Sequence, residues 1–320
     1  MVEHILITGG AGFIGSNLVD YINLQSPGTQ VTVFDDLSTG LESNLADSQC
    51  ALIEDTILNY PALVRASQKV DSIVHLAAIG SVPRSIAMPR PSHEANSSGT
   101  LNVLEAAREN GVEHVVVASS SSVYGSNPSM PKNELDWTRP LSPYAASKLA
   151  TESYALAYGF SYGMKTLAMR FFNVYGPRQR ADHDYAAVIP RFIDAAISDS
   201  PLVVYGDGEQ SRDFTYVGSV CAALFDSCVR QVSHNQPINL AFGSNATLLE
   251  LIDILANQLN RPLPVSHEPP RAGDVRASQA DSLSLRQLFP TVQSVELEIG
   301  VKRTLDWFLG NLGQHEENKI

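Results

Sequence analysis

The chain has 320 residues, 44% of them hydrophobic, and a formal net charge of −12 from 22 basic and 34 acidic residues. That length suits two lobes, or one large domain with an appended smaller one, around a sizeable core, and the acidic balance argues against a nucleic-acid or anionic-membrane binder. An anionic ligand must therefore be met by a few placed arginines.

The N-terminus enters a strand pattern at once, with His4-Ile5-Leu6-Ile7. No basic, then apolar, leader precedes it, and no apolar run approaches the ~20 residues that span a bilayer. A cytoplasmic enzyme with no membrane partner is expected. Ile5–Thr8 reads as a strand, Gly15–Leu24 as a helix, Val31–Phe34 and Ser72–Leu76 as strands, and Thr100–Asn110 as a helix stopped by Gly111. Val115–Ala118 is another strand, followed by a serine run. Pro143 opens a helix that continues over Tyr144–Tyr158, and Thr166–Arg170 is a further strand. This rhythm predicts an α/β fold, a parallel sheet with helices on both faces. After about Asn173 prolines and glycines become denser, as in Tyr175-Gly176-Pro177 and Pro262–Gly273. The expected division is 1–172 for the first lobe, with a return segment near 215–242, and 173–320 for a smaller lobe closing over a ligand. The cysteines Cys50, Cys221 and Cys228 form no C-x-x-C pair, and the eight histidines show no paired spacing. Neither a disulfide framework nor a metal site is expected.

Two clusters carry chemistry. The run Thr8-Gly9-Gly10-Ala11-Gly12-Phe13-Ile14-Gly15 follows a strand and opens a helix. Glycines there permit a tight turn and let backbone approach a pyrophosphate, which the helix N-terminus stabilises. Asp35 follows Gly15 by twenty residues, at the end of the next strand. Its carboxylate can accept from ribose hydroxyls and would repel a 2′-phosphate, so NAD is expected and NADP is not. Tyr144 and Lys148 lie four apart on one helix face. The ammonium is expected to lower the phenol from its usual value of ~10, making a base for a sugar hydroxyl. The serines at 119–122 end a strand ahead of this pair and can donate to the reacting oxygen.

Together with Leu76-Ala77-Ala78, Asn96, Arg170–Pro177, Tyr205–Phe214 and Arg271–Asp274, these motifs resemble the extended short-chain dehydrogenases/reductases, and among them the nucleotide-sugar epimerases. The resemblance covers nearly the whole chain. It implies a Rossmann-type doubly wound sheet holding NAD and a smaller α/β C-terminal lobe holding a UDP-sugar. It makes Ser120 the catalytic hydroxyl, Tyr144 the base and Lys148 its partner. By the same resemblance Asp36, Thr39, Gly40 and Ala118 join the cofactor contacts, Asp55 and Thr56 meet adenine, and Leu76–Gly80 with Asn96 wall the phosphates and ribose. Phe172 stands near the nicotinamide. Asn173, Ala187, Val188, Val203, Val204 and Tyr205 seat the uridine nucleotide, and Arg212, Arg271 and Asp274 clamp diphosphate and ribose. Ser81 and Ser121 stand beside the sugar. The helices at 100–110 and 144–158 resemble those that pair in a homodimer.

Related 4,6-dehydratases carry Asp-Glu directly after the catalytic hydroxyl, and related decarboxylases a Glu at the second place. Here stand Ser121 and Ser122. Epimerisation at C4 is favoured by subtraction. Epimerases restricted to plain hexoses place a large aromatic seven residues after the clamp arginine. Here stands Ser278, which suggests room for an N-acetyl group and interconversion of UDP-GlcNAc and UDP-GalNAc, with UDP-glucose and UDP-galactose as a second pair. The alternatives are a UDP-uronate 4-epimerase, a 4,6-dehydratase, a 4-keto reductase, or a non-catalytic NAD-binding regulator.

Overall fold

Strict alternation of buried side chains builds the centre of the molecule. In β1 (His4–Thr8) Ile5 and Ile7 pack on one face while Leu6 packs on the other. The strands that follow are β2 (Gln30–Asp35), β3 (Ala51–Glu54), β4 (Ser72–His75), β5 (His114–Ser120) and β6 (Lys165–Phe171). With Ile238–Leu240 at the edge they form one parallel sheet in the order 238–240, β6, β5, β4, β1, β2, β3. The order reverses between β1 and β4, and ligands of such sheets bind outside the strand ends at that reversal. The computed structural model describes residues 2–182, 186–270 and 276–311.

The helices follow the sheet's two apolar faces. They are α1 (Phe13–Gln25), α2 (Tyr60–Ala66), α3 (Val82–Ala87), α4 (Pro89–His93), α5 (Gly99–Glu109), α6 (Pro143–Tyr162), α7 (Val188–Ile197), α8 (Val217–Arg230), α9 (Leu248–Leu259), α10 (Leu283–Leu288) and α11 (Leu297–Gly310). α1 and α8 cover one face, with Leu18, Val19, Val220 and Leu224 fully buried. α2, α5 and α6 cover the other, through Leu63, Leu104 and Ala155. α6 starts where Ser142 Oγ accepts the Ala145 N–H at 3.1 Å, with Pro143 at its first position, and stops at Gly163 in the left-handed region.

Beyond β6 the chain forms short parallel and antiparallel pairings. Leu202–Tyr205 pairs with Val265–Glu268, and Ser211–Arg212 lies between Ala246–Thr247 and Ala277–Ser278. Among the described residues no helix is long and apolar enough to cross a membrane. Among the elements that sequence reasoning left unassigned before β6 are β3, α2, α3, α4 and the π-helical turn Glu94–Ser98 that joins α4 to α5. These segments are short, and periodicity is weakest over so few residues.

Candidate active site

The turn after β1 has no room for side chains. Gly9 has φ +73°, and a Cβ on it would lie 2.5 Å from the Ala77 nitrogen; one on Gly15 would lie 2.3 Å from the Gly9 carbonyl oxygen. The backbone therefore crosses β4's end closely and α1 starts just after Gly12, presenting its first N–H groups to a cavity of about 720 Å³. Gly9, Gly12, Phe13, Ile14 and Gly15 form its floor, with Asp35, Asp36, Thr39, Asp55 and Thr56 at one end and Leu76, Ala77, Ala78 and Gly80 along the wall. Ala118, Ser120, Ser121, Tyr144, Lys148 and Asn173 close the other end.

Asp35 accepts the Ala11 and Leu37 N–H groups, each at 2.9 Å, one on each carboxylate oxygen. Burial raises its pKa above the usual carboxylate value and those bonds oppose the rise. A carboxylate has about four acceptor positions, so two remain for the hydroxyls of a ribose. Among the described residues lining this cavity Lys148 is the sole lysine or arginine, and it lies at the opposite end. The glycine cradle, the volume and this carboxylate fit NAD, and the charge at Asp35 opposes a 2′-phosphate.

At the serine-rich end, Ser120 caps the turn Ser121–Tyr124, accepting from Ser122 N at 3.2 Å and Ser122 Oγ at 2.9 Å. It also faces the Tyr144 phenol, which it lowers. Lys148 Nζ donates to the Ala118 carbonyl at 2.8 Å. The predicted lowering of the phenol by that ammonium is corrected here. Burial dominates and raises Tyr144, opposed by the Ser120 hydroxyl, while burial pushes Lys148 itself down to about 8.

Four residues expected at the cofactor or sugar lie just behind the wall. Phe172 is fully buried against Val123, Tyr124, Ala241 and Ala280, and Phe171 faces the cavity instead, since neighbouring side chains at a strand end point opposite ways. Asn96 is buried too; its Oδ1 accepts Ile79 N–H at 2.8 Å and its Nδ2 donates to Ser147 Oγ at 2.9 Å, so it braces the wall from outside. Gly40 packs on Ala11, at the back of the glycine turn. Ser81 takes φ +97° and caps α3, its Oγ accepting from Arg84 N at 3.2 Å. Sequence reasoning missed Glu94, Val82 and Pro91, which line the cavity from α3, α4 and the turn after it.

A second cavity of about 240 Å³ adjoins the first, sharing Asn173 and Val174 with it. Ala187, Val188, Val203, Tyr205 and Arg212 line it. Val204 points into the core, the alternate residue of its strand. Arg191, absent from the sequence expectations, adds a guanidinium one helical turn beyond Val188; the i, i+3 spacing could have found it. Ser278 pairs with Arg212 in parallel register, which puts both side chains on one face. Arg271 and Asp274 lie outside the described residues.

The model of the NAD dependent epimerase/dehydratase family matches residues 5–241. The chain belongs to that family. Within it, the chain is 35% identical to the UDP-glucose 4-epimerase of Mycolicibacterium smegmatis, over 95% of this chain and 97% of that one. It is 30% identical to the UDP-glucuronate 4-epimerase of Thermodesulfobacterium geofontis, over 97% of each. Among solved structures, the UDP-N-acetylglucosamine 4-epimerase of Methanobrevibacter ruminantium in complex with UDP-N-acetylmuramic acid superposes with a TM-score of 0.92. It is 36% identical, over 97% of this chain and 100% of that one. As in the rest of the epimerase/dehydratase family the cofactor is NAD.

Proposed function

We propose that this chain is an NAD-dependent UDP-hexose 4-epimerase that interconverts UDP-GlcNAc and UDP-GalNAc, with UDP-glucose and UDP-galactose as a second pair. One observation carries the choice of reaction. The hydroxyl–phenol pair Ser120–Tyr144 stands beside Ser121 and Ser122, with no carboxylate where elimination or decarboxylation would need one. Bound along the glycine turn, NAD supplies the acceptor and donor of hydride. The chain's own task is the proton. Tyr144 takes it from the C4 hydroxyl as hydride leaves C4, and Ser120 holds the same oxygen, so a 4-keto sugar forms; once the sugar has turned over, hydride returns to the other face of C4 and Tyr144 gives the proton back to the oxygen. Arg212 and Arg191 offer charge-assisted bonds to the diphosphate in the second cavity. Arg271 and Asp274 belong to this proposal through the family resemblance.

The small Ser278 beside Arg212 supports room at C2. A UDP-uronate reading is favoured by the similarity to the glucuronate 4-epimerase. Nuclear magnetic resonance of products from a panel of UDP-sugars tests both. C4 epimers of the N-acetylated pair are expected; a stable 4-keto-6-deoxy sugar would falsify epimerisation, and turnover of the uronate alone would select the second reading. The proposal includes a cytoplasmic homodimer paired through α5 and α6, and a cofactor lobe of 1–172 with 215–242. α8 packs on α1 and Ile238–Leu240 extends the sheet beyond β6, in support of that division.

A further inference from the structure

Behind the Ser120–Tyr144 pair lies a buried ion pair that none of the chemistry above uses. The side chains of Arg170 and Glu152 are 4% and 3% exposed. Glu152 Oε1 accepts from Arg170 Nη2 at 2.7 Å; Oε2 accepts from Arg170 Nε at 3.0 Å and from Ser119 Oγ at 2.7 Å. The guanidinium lies over the Tyr124 ring, 4.6 Å from its centroid, and donates to the Glu134 carbonyl at 3.4 Å. Tyr124 O–H donates to Asn239 Oδ1 at 2.7 Å, and the Asn239 N–H to Glu134 Oε1 at 2.9 Å.

Stability alone does not require such a pair, because an apolar replacement of equal volume is often as good. Its placement suggests another use. Three consecutive residues at the end of β5 each engage α6, at positions spaced by four. Ser120 faces Tyr144, Ala118 accepts from Lys148, and Ser119 donates to Glu152. Residues four apart share a helix face. Two of these contacts hold the groups that handle the proton. The third is charge-assisted and locked by Arg170 from β6.

We propose that Glu152, neutralised by Arg170, is a positioning residue for Tyr144 and Lys148. It fixes α6 against the end of β5, and it cancels the charge of Arg170, which lies opposite Ser119 in the β5–β6 register, one residue from Ser120. The other titratable groups around that phenol come from different elements. His75 on β4 stands between Thr8 and Thr100, Glu94 lines the cavity after α4, and Glu134 sits behind Arg170. Asp35 is three strands away on β2. The proton-handling role of Tyr144 rests on the proposed function, so one readout needs no sugar.

Glu152→Gln keeps the shape and strips the charge. In NAD-loaded protein, ultraviolet difference titration with Tyr144→Phe as the blank reads the phenol directly. Its midpoint should fall by on the order of one pH unit, because an uncompensated cation favours phenolate. With whichever UDP-sugar the wild type turns over, kcat should fall on the order of 10-fold or more while KM stays within about twofold. The double variant Glu152→Gln/Arg170→Met removes both charges, and the midpoint should return while kcat stays low. If Glu152→Gln does not fold, Ser119→Ala decides. It keeps the ion pair and cuts its link to β5, and kcat should fall with KM and melting temperature unchanged. An unmoved midpoint or an unmoved kcat in Glu152→Gln, or an unmoved kcat in Ser119→Ala, overturns the proposal. So does a lowered melting temperature with full kcat per folded molecule. A wild type inert towards every UDP-sugar sinks the functional reading alone, because the phenol titration still stands.

Discussion

Lys148 Nζ and the Ala118 carbonyl oxygen lie 2.8 Å apart, inside a region where burial pushes the ammonium down to about 8 from 10.5. A group with a depressed folded value contributes stability that is present above 10.5 and lost as pH falls through about 8. At pH 7 the buried charge costs on the order of 3 kcal/mol. Lys148→Met should therefore gain on the order of 1–3 kcal/mol at pH 7 in urea unfolding, and lose turnover. The gain should shrink between pH 8 and 10.5; a gain independent of pH would contradict this account.

Ser120 is the group that lowers the Tyr144 phenol against burial. Ser120→Ala should move the acid limb of the kcat–pH profile to higher pH as well as slow turnover. Tyr144→Phe should cost on the order of 10²- to 10⁴-fold in kcat with NAD retained. A limb that moves to lower pH in Ser120→Ala would reverse the assigned direction.

His75 and His114 are buried as neutral rings. Thr8 Oγ1 and Thr100 Oγ1 hold His75 at 2.7 and 3.0 Å, and Ser72 Oγ and the Val232 carbonyl hold His114 at 3.0 Å each. Burial pushes them down to about 3 and about 4 from 6.5. The stability they contribute is complete above pH 6.5 and is lost as pH falls through about 4 and then about 3. His114→Gln should flatten the dependence of unfolding free energy on pH between 6.5 and 4, by on the order of 3 kcal/mol across that window. Parallel wild-type and variant curves would rule this out.

Ser278 shares a sheet face with Arg212. Ser278→Tyr should suppress turnover of N-acetylated substrates at least on the order of 10-fold while sparing plain hexoses, since bulk is added on one side of the sugar. Equal losses on both substrate classes would remove Ser278 from the specificity argument.

The glycine turn, Asp35 and the Tyr144–Lys148 spacing were legible in the sequence because each follows a fixed offset from a strand end. Phe171 and Phe172 show what was not. They are equal in composition, and only the phase of β6 decides which faces the cavity. Asn96 carried a readable polar signal, yet it braces the wall from outside it. Glu152 was readable in principle, as a carboxylate one turn beyond Lys148, together with an arginine inside an apolar strand. Its partner lies on another element, and that pairing exists only in three dimensions.

Asn173 belongs to both cavities, at φ +36°, with its side chain donating to the Asp213 carbonyl at 3.2 Å and its own carbonyl accepting the Thr215 N–H at 3.3 Å. On the proposed function, a UDP-sugar reaching from one chamber to the other would be moored at its far end with its near end free to roll. Turning the sugar over without letting it go then becomes a question of mooring length. A bare sugar phosphate, which cannot reach the second chamber, should lose kcat and not merely affinity; an unchanged kcat at saturation would show that the mooring has no part in the turn.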